Sequence, residues 1–228
     1  MTTTTENTSD NSKLVSLDLS GLRVEVGLSG DLAAHTFGAW DGDKQQATKV
    51  ACLKWLEDPS RRAIVLWSHK YGSGKTFAAA AILNEWLRRD IHRKQPETEI
   101  PAYYHDAGRL VANGPAWQVA ALFVKMTDWF GQIKSKLNGQ SADIFTMISM
   151  LQRTPILVMD DLCRAEPTPF ENDIIYRVVD YRTNMRLPFV ATTNAGPAEL
   201  SKWLWGATAS RLKLAEFVHL EERDYRGL

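Results

Sequence analysis

The chain has 228 residues, enough for one well-buried domain or at most two small ones. Its 27 basic and 27 acidic residues balance, so no global field draws it to nucleic acid or to a membrane, and any such contact must come from a local patch. The two cysteines lack metal-ligand spacing and no long apolar stretch is visible, so we expect a soluble, cytoplasmic protein that does not contact membranes.

The first 34 residues are predicted to lie outside the main domain, which we place at residues 35–228. Residues 1–12 are polar and lack apolar periodicity, so they predict a disordered arm. Residues 14–32 alternate loosely between apolar and polar types and are interrupted by glycines, which predicts a short extended segment or strand pair. Helical spacing over residues 44–57 predicts the first helix of the domain.

From residue 63 onward, apolar strand patterns alternate with helical patterns. The predicted strands are residues 63–67, 102–105, 156–160, 189–193 and 217–220. The predicted helices are residues 76–89, a helix somewhere within 117–137, and residues 141–152, 170–185 and 198–205. This alternation is typical of an α/β domain, in which crossover helices flank a central parallel sheet, here of five strands.

A glycine loop follows the first of these strands. Six residues there are predicted to bind a nucleotide: Gly72, Ser73, Gly74, Lys75, Thr76 and Phe77. In such a loop the backbone N–H groups converge on phosphates, the lysine reaches the outer ones, and the threonine hydroxyl ligates Mg²⁺. We therefore expect ATP and Mg²⁺ as cofactors. His69 stands where the usual pattern has glycine, so its β-carbon constrains the loop or its imidazole approaches phosphate.

Polar side chains follow two later strands. Asp160 and Asp161 end the apolar run of residues 156–159, and Asn194 follows the strand at residues 189–193. Because ligands of a parallel sheet bind at the carboxyl ends of its strands, Asp160 is predicted to hold Mg²⁺ together with Thr76. Asp161 would orient or polarise the attacking water, and Asn194 would position it. The alternative is that one carboxylate caps the following segment and that the asparagine belongs to a turn.

Taken in this order, the motifs resemble those of the AAA+ ATPases of the DnaC/IstB-like helicase-loader family, over roughly residues 35–226. Gly72-Ser-Gly-Lys-Thr76 resembles the Walker A motif, Ile156-Leu-Val-Met-Asp-Asp-Leu162 the Walker B motif, and Asn194 the sensor-1 asparagine. The resemblance implies a P-loop NTPase fold of AAA+ type, with the sensor strand between the two Walker strands and a small or absent C-terminal lid.

The same resemblance extends to the end of the chain, where Ala209-Ser-Arg211-Leu and Asp224-Tyr-Arg226 are similar to the family's closing motifs. It implies that the protein forms a homo-oligomer whose ATP sites are completed at subunit interfaces, with Arg211 as a catalytic finger acting on the neighbouring subunit. The alternative is a surface arginine paired with Glu216 or Glu221. Arg182 and Arg226 are weaker interface candidates.

A DNA-binding surface is predicted between the second strand and the Walker B strand, where members of the family carry an added helical element associated with single-stranded DNA. Apolar residues from 119 to 137 form one helical stripe, and Lys125, Trp129 and Lys136 lie on its flank. An aromatic ring between lysines suits base stacking beside phosphate neutralisation. The alternative is an ordinary amphipathic helix with Trp129 at the edge of the core.

The resemblance implies an ATP-hydrolysing DNA replication accessory protein, similar to a DnaC-type loader, that acts on single-stranded DNA and a replicative helicase. Two alternatives stay open. One is an IstB-like transposition helper with a transposase partner, because roughly 35 residues before the core are few for the separate N-terminal domain of many loaders. The other is a nucleotide-switched oligomeric DNA-binding scaffold with little hydrolysis, which His69 and Asp161 favour.

Overall fold

The computed structural model describes residues 27–28, 30–41, 45–58, 62–93, 104–106, 109–111, 121–136 and 141–225. In these ranges the helices are α1 (Asp31–Ala34), α2 (Gln46–Glu57), α3 (Lys75–Arg93), α4 (Met126–Lys136), α5 (Ser141–Arg153), α6 (Pro169–Asn184), α7 (Pro197–Trp203) and α8 (Gly206–Leu212). The strands are β1 (Ala63–Trp67), β2 (Tyr104–Asp106), β3 (Arg109–Val111), β4 (Leu122–Lys125), β5 (Leu157–Asp160), β6 (Phe189–Thr193) and β7 (Glu216–His219). None of these helices has the length and apolar character needed to cross a bilayer.

A five-stranded parallel sheet in the order β4-β5-β6-β1-β7 forms the centre of the domain. It confirms the predicted fold, with β6 between the two strands that carry the glycine loop and the paired aspartates. Neighbouring residues of β1 point to opposite faces: Ile64 and Leu66 pack in the cluster that contains α2 and α3, and Val65 packs in the cluster that contains α4, α5 and α6. Burial on both faces explains why these strands are continuously apolar.

Two predicted elements are wrong. The strand predicted at residues 102–105 does not join the main sheet, because Tyr104–Asp106 pairs antiparallel with Arg109–Val111 in a separate two-stranded sheet. The fifth strand of the main sheet is instead Leu122–Lys125, which lies inside the predicted helical stripe, and the helix begins only at Met126. A short apolar run has no periodicity that separates a buried strand from a buried helix, so the sequence pattern fitted both.

Some residues before position 35, the predicted start of the main domain, pack against it. Leu28 is fully buried in the core, and Asp31–Ala34 forms a helical turn where an extended segment was expected. The side chain of Asn84 in α3 holds this region in place, because its Nδ2 atom donates to the carbonyl oxygens of Leu32 (3.2 Å) and His35 (2.8 Å). The predicted arm at residues 1–12 lies outside the described residues, as do residues 14–26 and 29 of the predicted extended segment.

Candidate functional site

The glycine loop, residues 68–74, connects β1 to the first turn of α3. Gly72 and Gly74 have φ angles of 72° and 87°, in the left-handed region where a β-carbon is unfavourable. His69 is not among the described non-glycine residues with positive φ, so its backbone accepts a side chain. The two glycines are therefore required by the turn of the loop, and the histidine is tolerated at its entry.

Lys75 places its ammonium inside the glycine loop. The side chain is buried, and Nζ donates to the carbonyl oxygens of Ser68 (3.1 Å) and Lys70 (2.8 Å) and to Ser73 Oγ (3.1 Å). A positive charge held between a glycine loop and a helix N-terminus is a common arrangement for binding phosphate groups.

Thr76 and Asp160, the two predicted Mg²⁺ ligands, are in direct contact. Thr76 Oγ1 donates to Asp160 Oδ1 at 3.0 Å, although 84 residues separate the two along the chain. Asp160 is 4% exposed, and burial raises the pKa of its carboxyl group, while the hydrogen bond from Thr192 opposes that shift. A hydroxyl and a buried carboxylate side by side are the oxygen donors that Mg²⁺ accepts, so these residues fit the ion.

Thr192 in β6 connects the two aspartates. Its hydroxyl donates to Asp160 Oδ1 at 2.7 Å and accepts from the backbone N–H of Asp161 at 2.9 Å. Asp161 itself adopts a left-handed φ of 56° directly after β5. Sequence reasoning missed Thr192, because nothing in the run of residues 189–193 distinguishes it from Thr193.

A cavity of about 560 Å³ opens over the glycine loop. All six predicted nucleotide-binding residues line it, together with Asp161 and Asn194. The ends of β5 and β6 therefore reach the same cavity as the loop after β1. Its volume is in the range of small-molecule and cofactor sites.

Aromatic side chains also line the cavity. Of these, only Phe77 was predicted from the sequence. The Phe77 ring lies 4.6 Å from the ring of His35 and 5.3 Å, edge-on, from that of Trp40. The buried Gln45 closes the same side, with Nε2 donating to the carbonyl oxygen of Ser73. Tyr225 lines the cavity from the C-terminal end of the described chain. His35, Trp40 and Gln45 lie outside the motifs recognised in the sequence, and Tyr225 lies in the closing motif Asp224-Tyr-Arg226, in which only the arginine was considered.

Arg211 lies away from this cavity. It forms an ion pair with Asp180 of α6, donates to the carbonyl oxygen of Ala207 (3.0 Å), and lies over the ring of Tyr176 at 5.5 Å from its centroid. Its partner is thus neither of the glutamates considered from the sequence. Within one subunit Arg211 does not meet the glycine loop, so a finger role requires a neighbouring subunit and stays a prediction.

Arg182 is wrong as an interface candidate. The side chain is fully buried, and its guanidinium donates to the backbone carbonyl oxygens of five residues: Leu151, Gln152, Thr154, Pro155 and Pro188. It therefore joins the end of α5 to the approaches of β5 and β6 and cannot reach another subunit. Arg226 lies outside the described residues.

The predicted DNA-stacking surface is also wrong. Trp129 is 2% exposed and packs in the core with its ring 5.7 Å from that of Phe130, so it cannot stack on a base. Lys125 is the last residue of β4, so it does not share a helical face with Trp129 and Lys136, which both lie in α4. Lys125 is exposed, and its Nζ atom lies 3.8 Å from Asp128 Oδ2.

Solved structures share this fold. The crystal structure of the DnaC helicase loader superposes with a TM-score of 0.60 over 85% of this chain and 100% of that one, at 16% identity. The replication initiator DnaA bound to AMPPCP and single-stranded DNA gives a TM-score of 0.60 over 82% of this chain and 50% of that one, at 14% identity. No family model matches the sequence.

The amino-acid sequence is also similar to those of curated proteins. The replicative helicase loader DnaC of Escherichia coli K12 is 24% identical over 152 residues, or 67% of this chain. The replicative helicase loader DnaI of Bacillus subtilis 168 is 24% identical over 132 residues, or 58% of this chain. The chain is thus similar to DnaC-type helicase loaders in fold and in part of its sequence. The matched region spans only part of those relatives, 51% of DnaC and 33% of DnaI.

Proposed function

We propose that this DnaC-like protein binds and hydrolyses ATP and loads a replicative helicase onto DNA. One observation carries the nucleotide part: Thr76 and Asp160 meet at 3.0 Å beside a cavity that is also lined by Lys75, Asp161 and Asn194. The loader part is supported by the two curated relatives, both of which are named replicative helicase loaders.

The proposed roles follow from the positions of the side chains. Lys75 binds the outer phosphates, and Thr76 and Asp160 hold Mg²⁺, which supplies positive charge against the phosphate oxygens. Asp161 orients or polarises the attacking water, a role supported by its position in the lining of the cavity. Asn194 lines the same cavity and can position that water with its amide.

The proposed partners are a replicative helicase, single-stranded DNA and further copies of the chain. DNA is supported by the similarity of the fold to DnaA, whose structure contains single-stranded DNA. Self-association is supported by the position of Arg211, which within its own subunit pairs with Asp180 and does not line the nucleotide cavity.

Substitution of Lys75 by alanine should lower ATP affinity by at least about a hundredfold, because it removes the charged donor that the glycine loop encloses. Loading of a purified replicative helicase onto single-stranded DNA should be lost with it. Binding is measured by the fluorescence anisotropy of a labelled ATP analogue, and loading by helicase retention on a DNA oligonucleotide.

Lys70→Ala is the matched control, because the Lys70 side chain is exposed and only its backbone carbonyl contacts Lys75. Unchanged affinity in Lys75→Ala would reject the nucleotide site. A wild-type protein that binds ATP but retains a purified transposase rather than the helicase would favour the transposition helper.

Asp161→Asn should bind ATP normally and hydrolyse it about 10² to 10⁴ times more slowly, because the amide cannot accept a proton from water. The φ of 56° at this position is one that asparagine adopts readily, so the substitution adds no backbone strain. Steady-state phosphate release gives the rate. A wild-type rate would reject the water-orienting role, and a wild-type protein that binds ATP without turnover would support the scaffold.

A further inference from the structure

Residues 219–225, here termed the C-terminal strap, run along the glycine loop. The strap follows β7, which pairs with β1 so that Trp67 lies opposite His219. Its first and last backbone contacts are on either side of the loop entry: Leu220 N donates to Trp67 O and Tyr225 N donates to Gly72 O, both at 2.9 Å. The backbone of the strap is therefore hydrogen-bonded once to the last residue of β1 and once to the loop, five residues further along each segment.

Between these two points the carboxylate of Glu222 contacts the loop entry. Its Oε1 atom accepts from the backbone N–H of His69 (3.0 Å) and from Ser68 Oγ (3.2 Å), and it lies 3.1 Å from His219 Nε2. The hydrogen bond with His219, followed by those from His69 and Ser68, keeps the pKa of Glu222 below its usual value. Glu222 is therefore an anion whose contacts are with the start of the phosphate-binding loop.

The contacts extend from Glu222 into the interior of the loop. Ser68 Oγ, which donates to Glu222, also accepts from the backbone N–H of Lys70 at 3.2 Å. The carbonyl groups of Ser68 and Lys70 in turn accept from Lys75 Nζ. The polar groups at the loop entry thus have two partners, a carboxylate for the N–H of His69 and an ammonium for the carbonyl groups on either side of it.

The His69 side chain does not take part in the cavity. Its ring packs edge-on against Trp67 at 5.5 Å, its Nδ1 atom lies 3.6 Å from Glu199 Oε2, and it is not among the residues that line the cavity. The imidazole therefore does not approach the phosphate region, which removes one of the two readings of this position. The other reading remains, in which a β-carbon restricts the backbone where phosphate loops usually have glycine.

We propose that Glu222 is a positioning residue for nucleotide binding, which fixes the entry of the glycine loop through the backbone of His69 and the hydroxyl of Ser68. In the usual loop, glycine at this position lets the backbone adjust to the phosphates. Here the position is His69, and the hydrogen bond from its N–H to Glu222 holds the backbone instead. The carboxylate acts on the loop and not on the nucleotide, and the inference rests on the proposed binding of ATP at this site.

Glu222→Ala should weaken binding of a fluorescent ATP analogue with Mg²⁺ by about tenfold, because three contacts to one carboxylate oxygen are lost. Glu222→Gln retains an acceptor for His69 N–H and Ser68 Oγ, and its affinity should stay within about threefold of the wild type. At saturating ATP the turnover of both variants should match the wild type, so the effect appears in KM and not in kcat.

Two controls make the result specific. Glu57→Ala removes an exposed carboxylate at the end of α2 and should leave affinity unchanged. The thermal midpoint of unfolding should also be unchanged in Glu222→Ala, because the Glu222 side chain is 41% exposed, whereas a merely structural role would lower it.

The outcomes separate this inference from the proposed function. If Lys75→Ala loses ATP binding while Glu222→Ala binds within about twofold of the wild type, the positioning role is overturned and the nucleotide site stands. If Glu222→Gln is as weak as Glu222→Ala, positioning through a hydrogen-bond acceptor is overturned. If Lys75→Ala binds as well as the wild type, the nucleotide site itself is overturned.

Discussion

Replacement of Arg211 by alanine is expected to lower ATP turnover of the assembled protein by about three to five orders of magnitude, the contribution of an arginine finger that neutralises transition-state charge. The guanidinium cannot do this within its own subunit, where it pairs with Asp180. It lines a small recess together with Ala63 and Phe189, the first residues of β1 and β6. Arg211 therefore lies near the amino-terminal ends of these strands, whereas the glycine loop follows the carboxyl end of β1. ATP binding to isolated subunits should therefore be unchanged.

Mixed assemblies test whether Arg211 acts on a neighbouring subunit. Neither Lys75→Ala nor Arg211→Ala subunits should hydrolyse ATP alone, but a mixture contains interfaces that combine an intact glycine loop from one with an intact Arg211 from the other. Phosphate release should then recover to a maximum at an intermediate ratio. No recovery at any ratio, in mixtures shown by light scattering to co-assemble, would contradict the trans role.

Arg177→Ala is the matched control for these experiments. Arg177 also lies on the surface of the α6 side and forms an ion pair, with Asp173 at 2.6 Å, but it is more exposed than Arg211 and has no predicted role. Its loss should leave turnover within about twofold of the wild type, since exposed ion pairs contribute little. A large loss of turnover in Arg177→Ala would mean that the face as a whole, and not the Arg211 guanidinium, is needed.

The elements that were predicted correctly are those whose sequence pattern is compatible with only one type of secondary structure. The strand at residues 63–67 lies between a helical segment and a glycine loop, and the strand before Asp160 is apolar at every position. Because chain order places polar residues at the ends of these strands, and parallel strands end at one edge, the meeting of Thr76, Asp160 and Asn194 near one cavity could be predicted.

The errors arose where tertiary pairing decides between two local structures. Leu122 and Phe123 belong to the predicted helical stripe that also contains Met126, yet they pair with β5 as part of a strand. Trp129 is buried together with Met126 and Phe130, so the helix packs a wider face into the core than the apolar stripe indicated. The sequence pattern alone places Trp129 at the edge of the stripe, where a stacking role was reasonable.

The residues that sequence reasoning missed act through contacts between distant segments. Thr192 contacts Asp160 across 32 residues, Gln45 contacts Ser73 across 28, and Glu222 contacts His69 across 153. None belongs to a spaced motif, and each is an ordinary polar residue in its own segment. Their roles follow from the order of the strands, which places β7 and β6 on either side of β1.

Arg182→Ala should lower the free energy of unfolding by about 3–5 kcal/mol, the usual cost of removing one partner from a buried charged network. Arg182 is fully buried, and burial lowers the pKa of its guanidinium to about 9, so it remains charged at neutral pH. Its shortest measured contacts are to the carbonyl oxygens of Leu151 (2.8 Å) and Thr154 (2.9 Å). Removal of the side chain takes the guanidinium donors away from these carbonyl oxygens.

Arg182→Lys separates charge from geometry. Lysine keeps the positive charge but offers three donors on one nitrogen, which cannot reach the acceptors at both the end of α5 and the approach to β6, so we expect about half the loss seen with alanine. Chemical denaturation gives the midpoints, and Arg177→Ala on the exposed face of α6 should change stability by no more than about 0.5 kcal/mol. An Arg182→Ala protein as stable as the wild type would contradict this stabilising role of the buried guanidinium.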